Sequence, residues 1–514
     1  MPSLSIHILS IALCLSAGFQ QGYIASVLNQ PYLQIEQYIN ESWTIRTGEP
    51  IEPGTLVSQL LFFKPYFKTK ILLQNIIWSL LNVCFPIATI FGQFTAGYTC
   101  KRLGRKKTAI LATALYIPGT LLCAAAKWTM PYFELLFIGR IIWSWANGIN
   151  SVNATVWIVE CAAPQIRGRM ASMQEVFMSI GSLVTQAFGV PFSTDELWYL
   201  NFVPNCFFSL VTLVMFFVVY ESPQFIMEKE GNVEKARRAL ASYHGCAVDD
   251  ASVDAEMRIC EESVSKKKKS LAQKNDASVQ TEFSGKEIMF MPWKANDPTS
   301  RVVRHAAWLG VMVKIAYVFT GARCVRAYST FILHTMSHWS FNHSLYGSFA
   351  VGLLRLPVTL VPVFLVDRLG RRPLIIGSTA VSFLSLLTMM IGIEMGADWK
   401  IATFIGLSVL LLINACGIGS VSRFYSAELV PRHLLLSSVA TLTMFEAITK
   451  IIVEFTFYPV ANLIGAQSLL LFLIPTAIFM VLMWALCPET SRRTVNEVLN
   501  EIAQRKKLKV AFPM

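Results

Sequence analysis

Long stretches of this chain contain no Asp, Glu, Lys or Arg, and they limit what it can fold into. Three further stretches, at 305–334, 345–366 and 434–454, are also largely apolar and carry only a few charges. Stretches of about 20 such residues are long enough to cross a bilayer as helices, so we expect about twelve spans. A soluble protein could not cover so much apolar surface, and the pattern predicts an all-α multi-pass membrane protein. The uncharged stretches are 8–35, 71–100, 108–126, 141–159, 176–194, 197–220, 373–393, 401–422 and 455–487, the last of which is predicted to hold the end of one span and the whole of the next.

Composition and the placement of charge agree with a membrane protein. Hydrophobic residues make up 54% of the chain and charged residues 15%, against about 25% charged in ordinary soluble domains. The net charge of +12 is concentrated in alternate connections between the apolar stretches, which is the positive-inside pattern and argues against a nucleic-acid partner. We therefore expect both termini in the cytosol. The basic connections lie at 101–107, 167–169, 266–269, 368–372, 432 and 505–509.

One short turn occurs twice in the chain. Residues 101–106 read Lys-Arg-Leu-Gly-Arg-Lys and residues 367–372 read Asp-Arg-Leu-Gly-Arg-Arg, each between two apolar stretches. Such a repeat indicates a membrane protein built from two related halves. The predicted parts are a six-helix half at 1–220, a cytosolic helical linker with a disordered part at 221–303, a second six-helix half at 304–487 and a cytosolic tail at 488–514.

No pattern indicates a catalytic, metal or cofactor site, so we expect a protein that is not an enzyme. His334, His338 and His343 lie close together but have no Cys or acidic companion, and a polar surface patch is expected there instead of a metal site. No phosphate-binding glycine loop is present, which disfavours ATP-driven transport. The eleven cysteines lie mostly within the apolar stretches, which argues against a disulfide scaffold. A glycosylation sequon at Asn40 falls in a loop predicted to lie outside the cell.

The turns between the spans, taken together, resemble those of the sugar porter family of the major facilitator superfamily, and in particular its facilitative glucose transporter branch. The match covers nearly the whole chain, in order and at the family's spacing. The residues that carry it are Phe-Gln-Gln-Gly-Tyr at 19–23, Asn-Gln-Pro at 29–31, 97–107, Gly-Arg at 139–140, Glu160, Arg-Gly at 167–168, Glu-Ser-Pro-Gln-Phe at 221–225, 367–373, Ala-Glu-Leu at 427–429, Pro-Arg at 431–432 and Pro-Glu-Thr at 488–490.

The resemblance implies twelve transmembrane helices in two six-helix halves that move a small solute by alternating access. Facilitated diffusion of a hexose or a polyol across the plasma membrane is the expected function. Arginines and carboxylates meet at the cytosolic helix ends, where ion pairs would hold the inner mouth closed. The plainer alternative is that the arginines only set the topology. The gate candidates are Arg102, Gly104, Arg105, Arg140, Glu160, Arg167, Glu221, Asp367, Arg368, Arg371, Glu428, Arg432 and Glu489.

The positions that bind sugar in the family are largely changed in this chain. In span seven the family has Gln-Gln-x-Ser-Gly-x-Asn, whereas residues 317–323 read Tyr-Val-Phe-Thr-Gly-Ala-Arg. The family's span-eight asparagine falls on Arg355, its span-five glutamine on Glu175 and its span-eleven asparagine just before Glu446. Neutral amides are thus replaced by charge. The substrate-binding candidates are Gln20, Gln21, Glu175, Tyr317, Arg323, Arg326, Arg355 and Glu446.

Two interpretations of these charges stay open. Arg355, Arg323 and Arg326 could form a cationic pocket for an anionic solute, or Arg355 and Glu446 could form a structural ion pair. Lys450 and Glu454 follow Glu446 at helical spacing and could neutralise one another. The alternatives to hexose or polyol transport are therefore an organic-anion or modified-sugar transporter, and a sensor-like relative that transports nothing.

Overall fold

The computed structural model describes residues 3–48, 72–162, 164–247, 250, 253–254, 257–258, 261, 285–294, 296–361, 369–430, 435–491, 493 and 495–508. All regular secondary structure in these residues is helical, as the sequence predicts. The α-helices are α1 (Leu4–Leu13), α2 (Gln20–Ser26), α3 (Tyr32–Thr47), α4 (Leu72–Leu103), α5 (Arg105–Ala125), α6 (Glu134–Cys161), α7 (Pro164–Phe192), α8 (Pro204–Val218), α9 (Pro223–Lys229), α10 (Val233–His244), α11 (Gly285–Phe290), α12 (Pro298–Phe319), α13 (Ala322–Ala327), α14 (Ser329–Phe331), α15 (Phe341–Val358), α16 (Arg371–Glu394), α17 (Lys400–Cys416), α18 (Ile418–Glu428), α19 (Leu435–Ile464), α20 (Leu470–Leu486) and α21 (Val495–Arg505).

Eight helical segments within the described part are long and apolar enough to cross a membrane. Their outer faces carry large apolar side chains, among them Phe94, Phe207 and Trp484, each about two-thirds exposed. So much exposed apolar surface is stable only against lipid, which agrees with a multi-pass membrane protein. Residues 455–487 hold the end of α19, a 3-10 turn at Gly465–Leu469 and then α20, as predicted.

The N-terminal unit comprises Met1–Val27 and Cys84–Thr281. In this unit α5 packs against α6 and α8, and α2 packs against α7. The predicted helical linker begins with two helices, α9 and α10. The chain turns between them at Gly231, which has a φ of 64°, and Asn232 caps the start of α10. The disordered part predicted for this linker falls within residues 262–284, which lie outside the described residues.

The C-terminal unit comprises Leu28–Val83 and Glu282–Met514, so it includes residues that the sequence-based division assigns to the first half. In this unit α12 packs against α18, α19 and α20, and α16 packs against α17. Two of its helices differ from expectation. A helix, α3, occupies part of the predicted outer loop, and the predicted tail contains α21, which buries Val498, Leu499 and Ile502 in the core of this unit.

Gly22 of α2 lies against α7 with no room for a side chain. A Cβ at Gly22 would stand 1.9 Å from the carbonyl oxygen of Met178, and a Cβ at Gly181 would stand 2.1 Å from the carbonyl oxygen of Phe19. Helices in a membrane associate largely through close van der Waals packing, which small residues permit. The glycines therefore allow the first span to pack against α7.

We expect Gly22→Ala to lower the melting temperature of the detergent-solubilised protein. The added methyl group has to push α2 away from α7, and such overpacking costs about 1–3 kcal/mol. The melting temperature is measured by scanning fluorimetry, with Gly97→Ala as the control because no atom lies within 4 Å of a Cβ at Gly97. Equal melting temperatures for the two variants would show that the contact is not tight.

Candidate functional site

Gly104 and Arg105 form a helix junction that is held by the half-buried carboxylate of Glu221. Gly104 links α4 to α5 with a φ of 93°, which favours glycine. The backbone N–H groups of Arg105 and Lys106 donate to the Glu221 carboxylate, at 2.9 Å and 3.0 Å. A Cβ at Gly104 would stand 2.5 Å from Glu221 Oε2, so this approach depends on glycine. Glu221 thereby accepts N–H groups that the first turn of α5 leaves unpaired.

Two effects on the ionisation of Glu221 oppose each other. N–H donors stabilise its charged form, and burial destabilises that form. Burial raises the pKa of the Glu221 carboxyl, and hydrogen bonds from the N–H groups of Ser222, Lys106 and Arg105 oppose that rise. The net pKa of Glu221 is above its ordinary value. A carboxylate in this position therefore depends on the three donors to remain charged.

The Arg105 side chain joins the same junction to α6. Arg105 Nη2 donates to Glu160 Oε1 at 2.5 Å, and both side chains are almost fully buried. The Ser222 hydroxyl donates to the second oxygen of Glu160. Lys106 Nζ donates to the Val219 carbonyl oxygen at 2.8 Å, just beyond α8. We call this group the N-terminal latch; it consists of Gly104, Arg105, Lys106, Glu160, Glu221 and Ser222.

The second copy of the turn forms the same arrangement. Gly370 has a φ of 87°, and the N–H groups of Arg371 and Arg372 donate to the two oxygens of Glu489, at 3.0 Å and 3.1 Å. Arg372 also donates to the Trp484 carbonyl oxygen at 2.7 Å, as Lys106 does to the carbonyl near the end of α8. The repeat in sequence thus corresponds to a repeat in hydrogen bonding.

The ion pair of the first copy also recurs. Arg371 Nη2 lies 3.3 Å from Glu428 Oε1, and the Thr490 hydroxyl donates to Glu428 Oε2 at 2.6 Å. We call this group the C-terminal latch; it consists of Gly370, Arg371, Arg372, Glu428, Glu489 and Thr490. The pairs Arg105–Glu160 and Arg371–Glu428 each join residues of a single unit. Each latch ties helices together inside its own unit.

Not all of the predicted gate residues belong to a latch. Arg102 is exposed and donates to the Tyr98 hydroxyl at 2.5 Å. The position of Arg140 disagrees with the prediction that it belongs to the cytosolic gate. Twenty residues of α6 (160 − 140), or about 30 Å, separate it from Glu160. Arg140 is buried and donates to the Ile24 carbonyl oxygen at 3.2 Å. The predicted gate residues Asp367, Arg368 and Arg432, and the side chain of Arg167, lie outside what the structure describes.

Charged side chains within the membrane helices of the C-terminal unit form the second candidate site. Glu446 of α19 accepts a hydrogen bond from Lys314 Nζ of α12 at 2.7 Å and another from Lys450 Nζ. Glu446 and Lys314 are each less than a tenth exposed. The predicted pair between Arg355 and Glu446 is therefore replaced by two lysines that share this carboxylate.

Arg323 forms an ion pair with the second carboxylate of this region, that of Glu454. Its Nε lies 3.0 Å from Glu454 Oε1, so Glu454 pairs with Arg323 and not with Lys450. Arg323 is placed by a break in span seven, where Gly321 takes a φ of 73° and α13 begins. Lys450 Nζ also lies 5.9 Å from the centre of the Tyr317 ring, a distance that permits a cation–π contact.

Arg326 and Arg355 have no such carboxylate. In the parts of the chain that the structure describes, no Asp or Glu lies within ion-pair distance of either guanidinium. Both are half-buried. An unpaired charge within a membrane costs about 2.5 kcal/mol or more, so such residues are rarely kept without a use.

The substrate-binding candidates of the N-terminal unit are Gln20, Gln21 and Glu175. Gln20 is fully buried and already bonded, since Trp143 Nε1 donates to its Oε1 at 2.9 Å and its Nε2 lies 3.4 Å from the Ser209 hydroxyl. Gln20 therefore serves packing. Gln21 and Glu175 are half-buried.

Sequence reasoning missed a neutral polar cluster of the C-terminal unit. Asn29 Nδ2 donates to the Ser329 and Ser348 hydroxyls at 2.9 Å and 3.2 Å. The amide of the neighbouring Gln30 is fully buried and makes no hydrogen bond to any residue that the structure describes. Amides and hydroxyls of this kind both donate and accept, as sugar hydroxyls require. The family-like Asn-Gln-Pro sequence at 29–31 was the signal that could have identified them.

Lys314 and Glu36 were also missed. Lys314 is a single lysine in a long apolar stretch, which is itself a sign of a functional or paired charge. Glu36 lies on α3, outside the membrane-spanning segments, and accepts a hydrogen bond from the Tyr458 hydroxyl at 3.1 Å. Burial raises the pKa of the Glu36 carboxyl to about 7. His334 and His343, considered as metal ligands, instead contact Trp339 and Ser340.

Removal of the Glu221 carboxylate is expected to destabilise the N-terminal unit. In Glu221→Ala the N–H groups of Arg105 and Lys106 lose their acceptor, and buried unpaired groups cost about 1–3 kcal/mol each. Scanning fluorimetry is expected to give a melting temperature several degrees lower. The control is Glu230→Ala, since Glu230 is exposed and its pair with Lys235 is exposed too. A similar loss in both variants would mean that the latch contributes nothing special.

The raised pKa of Glu36 predicts a pH-dependent stability. Its carboxyl binds a proton up to about pH 7 in the folded protein but only to about pH 4.5 when unfolded, so stability from this residue falls as pH rises through that interval. Glu36→Gln is expected to remove this part of the dependence and to raise the melting temperature above pH 7. Melting temperatures are compared from pH 4.5 to 8, with the exposed Glu41→Gln on the same helix as control. A wild-type profile parallel to that of Glu36→Gln would contradict the assignment.

Comparisons with known proteins place these features in a family. The family described as "Sugar (and other) transporter" matches residues 10–501. Facilitated glucose transporter member 2 of solute carrier family 2 from Gallus gallus is 25% identical, over 97% of this chain and 93% of its own length. Facilitated glucose transporter protein 1 of Caenorhabditis elegans is 23% identical, over 88% of this chain and 86% of its own.

Solved structures agree on the fold. The inward-open structure of the xylose transporter XylE from E. coli aligns with a TM-score of 0.71 and 18% identity, covering 97% of this chain and 99% of that one. At this identity the likeness concerns the fold, which is the twelve-helix major facilitator fold that the sequence predicts. Since the family match spans nearly all of the sequence, this multi-pass membrane protein belongs to the sugar (and other) transporter family.

Proposed function

We propose that this protein carries a sugar, either a hexose or a polyol, across a membrane by alternating access. The observation that supports this most is the alignment of relatives named as facilitated glucose transporters along nearly the whole chain. The two latches support it as well, since they occur where the family has its cytosolic turns. The protein accordingly moves its solute and does not alter it chemically.

The latches have a mechanical role in this proposal. A carrier that alternates between two states needs bodies that move without deforming. Glu221 and Glu489 each accept the first N–H groups of one helix while Glu160 and Glu428 pair with an arginine of the same junction. Each latch thus keeps the cytosolic helix ends of its unit together. We propose this rigidity within each unit as the role of the latches, beside the prediction that ion pairs open and close at the inner mouth.

Orientation and location follow from charge. The basic connections are expected in the cytosol together with both termini, and Asn40 is expected on the outer side of the plasma membrane. The two latches then lie at the cytosolic surface. Asn40 lies on α3 and is half-buried.

The solute site in this proposal draws on both kinds of polar group in the C-terminal unit. Gln30 offers an unpaired amide for sugar hydroxyls, and Tyr317 offers an aromatic face. Arg323 and Glu446 position the charges around that face through their partners Glu454, Lys314 and Lys450. Gln21 and Glu175 of the N-terminal unit stay substrate-binding candidates, whereas Gln20 has a packing role.

Uptake of radiolabelled solute into proteoliposomes tests this proposal. We expect saturable, protein-dependent uptake of at least one hexose or polyol, and competition from the unlabelled solute. Gln30→Ala is expected to raise KM severalfold, because a buried hydrogen bond to the solute is worth about 0.5–1.5 kcal/mol.

The matched control is Gln37→Ala, since Gln37 is exposed on α3 and bonds Glu41. An unchanged KM in Gln30→Ala would remove this residue from the site. Failure of every hexose and polyol to enter, with protein shown to be folded and reconstituted, would contradict the proposed function and would favour a sensor-like role.

A further inference from the structure

One side of α4 carries large apolar side chains that give way to two cations at the end of the helix. Phe91, Phe94 and Tyr98 are each more than half exposed. Lys101 and Arg102 follow in the last turn of α4 and are exposed too. The spacing of three or four residues places all five on one face of the helix. We call these five residues the lipid-facing stripe, because exposed apolar rings on a membrane span are stable against lipid.

The lipid-facing stripe changes from apolar to charged at Tyr98. The Tyr98 hydroxyl accepts a hydrogen bond from Arg102 Nη1 at 2.5 Å, and the Arg102 guanidinium lies 5.8 Å from the centre of the Tyr98 ring. Tyrosine side chains are enriched where the hydrocarbon of a bilayer meets its headgroups, because the ring is apolar and the hydroxyl is polar. Arg102 lies eight residues (102 − 94) beyond Phe94, or about 12 Å along the axis. The two cations are therefore expected at the depth of the lipid phosphates.

Other groups of this turn that could bind an anion already have partners. Lys106 Nζ donates to two carbonyl oxygens near the end of α8, at 3.0 Å and 2.8 Å. The first N–H groups of α5 donate to the Glu221 carboxylate, and the Arg105 side chain is buried in its ion pair with Glu160. An anion that approaches this turn therefore has to be bound by side chains outside the N-terminal latch.

Lys101, Arg102 and Lys107 are the exposed cations of the turn. The ion pairs of the N-terminal unit join other residues, and no Asp or Glu in the described part of the chain pairs with any of these three. Three like charges within seven residues repel one another, and an anion placed among them relieves that repulsion. The turn therefore has positive charge that the described part of the protein does not neutralise.

We propose that Lys101 and Arg102 bind the phosphate of an anionic phospholipid whose acyl chains lie along Phe91, Phe94 and Tyr98. This partner belongs to the membrane and is not the solute, which takes it beyond the proposed function. In the orientation proposed above, the lipid lies in the cytosolic leaflet. The planar guanidinium matches two phosphate oxygens, and the lysine adds a compact positive charge.

The charge of the turn favours an anionic lipid over a zwitterionic one. Phosphatidylcholine carries a quaternary ammonium group beside its phosphate, and cationic side chains repel that group. Phosphatidylglycerol carries the phosphate without a compensating cation. The two lipids with the same acyl chains therefore differ in net charge while offering the same apolar contact to the lipid-facing stripe.

Lipid-induced thermal stabilisation of the full-length protein in detergent tests this lipid site. Melting temperatures are measured with increasing phosphatidylglycerol or phosphatidylcholine, and with glycerol 3-phosphate as a soluble phosphate. We expect phosphatidylglycerol to stabilise the protein at about tenfold lower concentration than phosphatidylcholine, since each basic side chain near an anionic leaflet contributes to binding. Glycerol 3-phosphate is expected to have little effect, because it brings no acyl chains. High salt is expected to reduce the preference by screening the charges.

Variants assign the lipid preference to the two cations. Lys101→Gln and Arg102→Gln are each expected to weaken the response to phosphatidylglycerol about fivefold, or about 1 kcal/mol, and to leave the response to phosphatidylcholine unchanged. Lys101→Asp is expected to weaken it further, because it reverses the charge and gives the turn the residue that Asp367 supplies in the second copy. The matched control is Lys229→Gln, which removes one positive charge from an exposed position of the same unit.

The melting temperature without lipid and the gel-filtration profile verify that each variant is folded. Equal stabilisation by phosphatidylglycerol and phosphatidylcholine would overturn the anionic-lipid site. Stabilisation by glycerol 3-phosphate at the same concentration as phosphatidylglycerol would show a site for soluble anions and contradict a lipid partner. An equal loss of the preference in Lys229→Gln would reassign it to the overall charge of the unit. No solute enters this experiment, so a failure of sugar uptake would count against the proposed function alone.

Discussion

Polar groups inside a membrane have no water to bond, and both candidate sites of this structure follow from how such groups are satisfied. Backbone groups are paired within helices, so the spans in the described part of the chain are helical. At the ends of those helices the unpaired N–H groups need acceptors. Glu221 and Glu489 provide them in the two units, and glycine at 104 and 370 lets the carboxylates approach. The same requirement applies to charged side chains within the spans.

The two latches show how one local solution can be used twice. In each, a glycine with positive φ starts a helix, a carboxylate caps its first N–H groups, and an arginine reaches a second carboxylate that a hydroxyl also contacts. Exposed ion pairs contribute little, but Arg105 and Glu160 are buried and hydrogen-bonded on several sides, where loss of one partner is costly. Such junctions can hold a helix bundle rigid, and rigidity within each unit is what a carrier that alternates between states requires.

Much of this architecture could be predicted from the sequence because it depends on local composition. Uncharged stretches of about 20 residues specify spans wherever they occur, and the division of 455–487 into two helices followed from length alone. The latches were also predictable as places where arginine and carboxylate meet, since Glu160 and Glu428 occupy matching positions after the two turns. Arg140 was misassigned because it was taken from a family motif, although the uncharged stretch 141–159 already separates it from Glu160 by a whole span.

The sequence by itself determined a helical membrane protein with two related halves, a sugar-porter frame and charges where the family has amides. Only the tertiary structure decided which charges meet. Lys314 lies 132 residues from Glu446 in sequence, yet it takes a place that sequence reasoning gave to Arg355. Pairing depends on which faces of distant helices come together, and that is set by packing across the whole unit, which the spacing of residues along one helix does not contain.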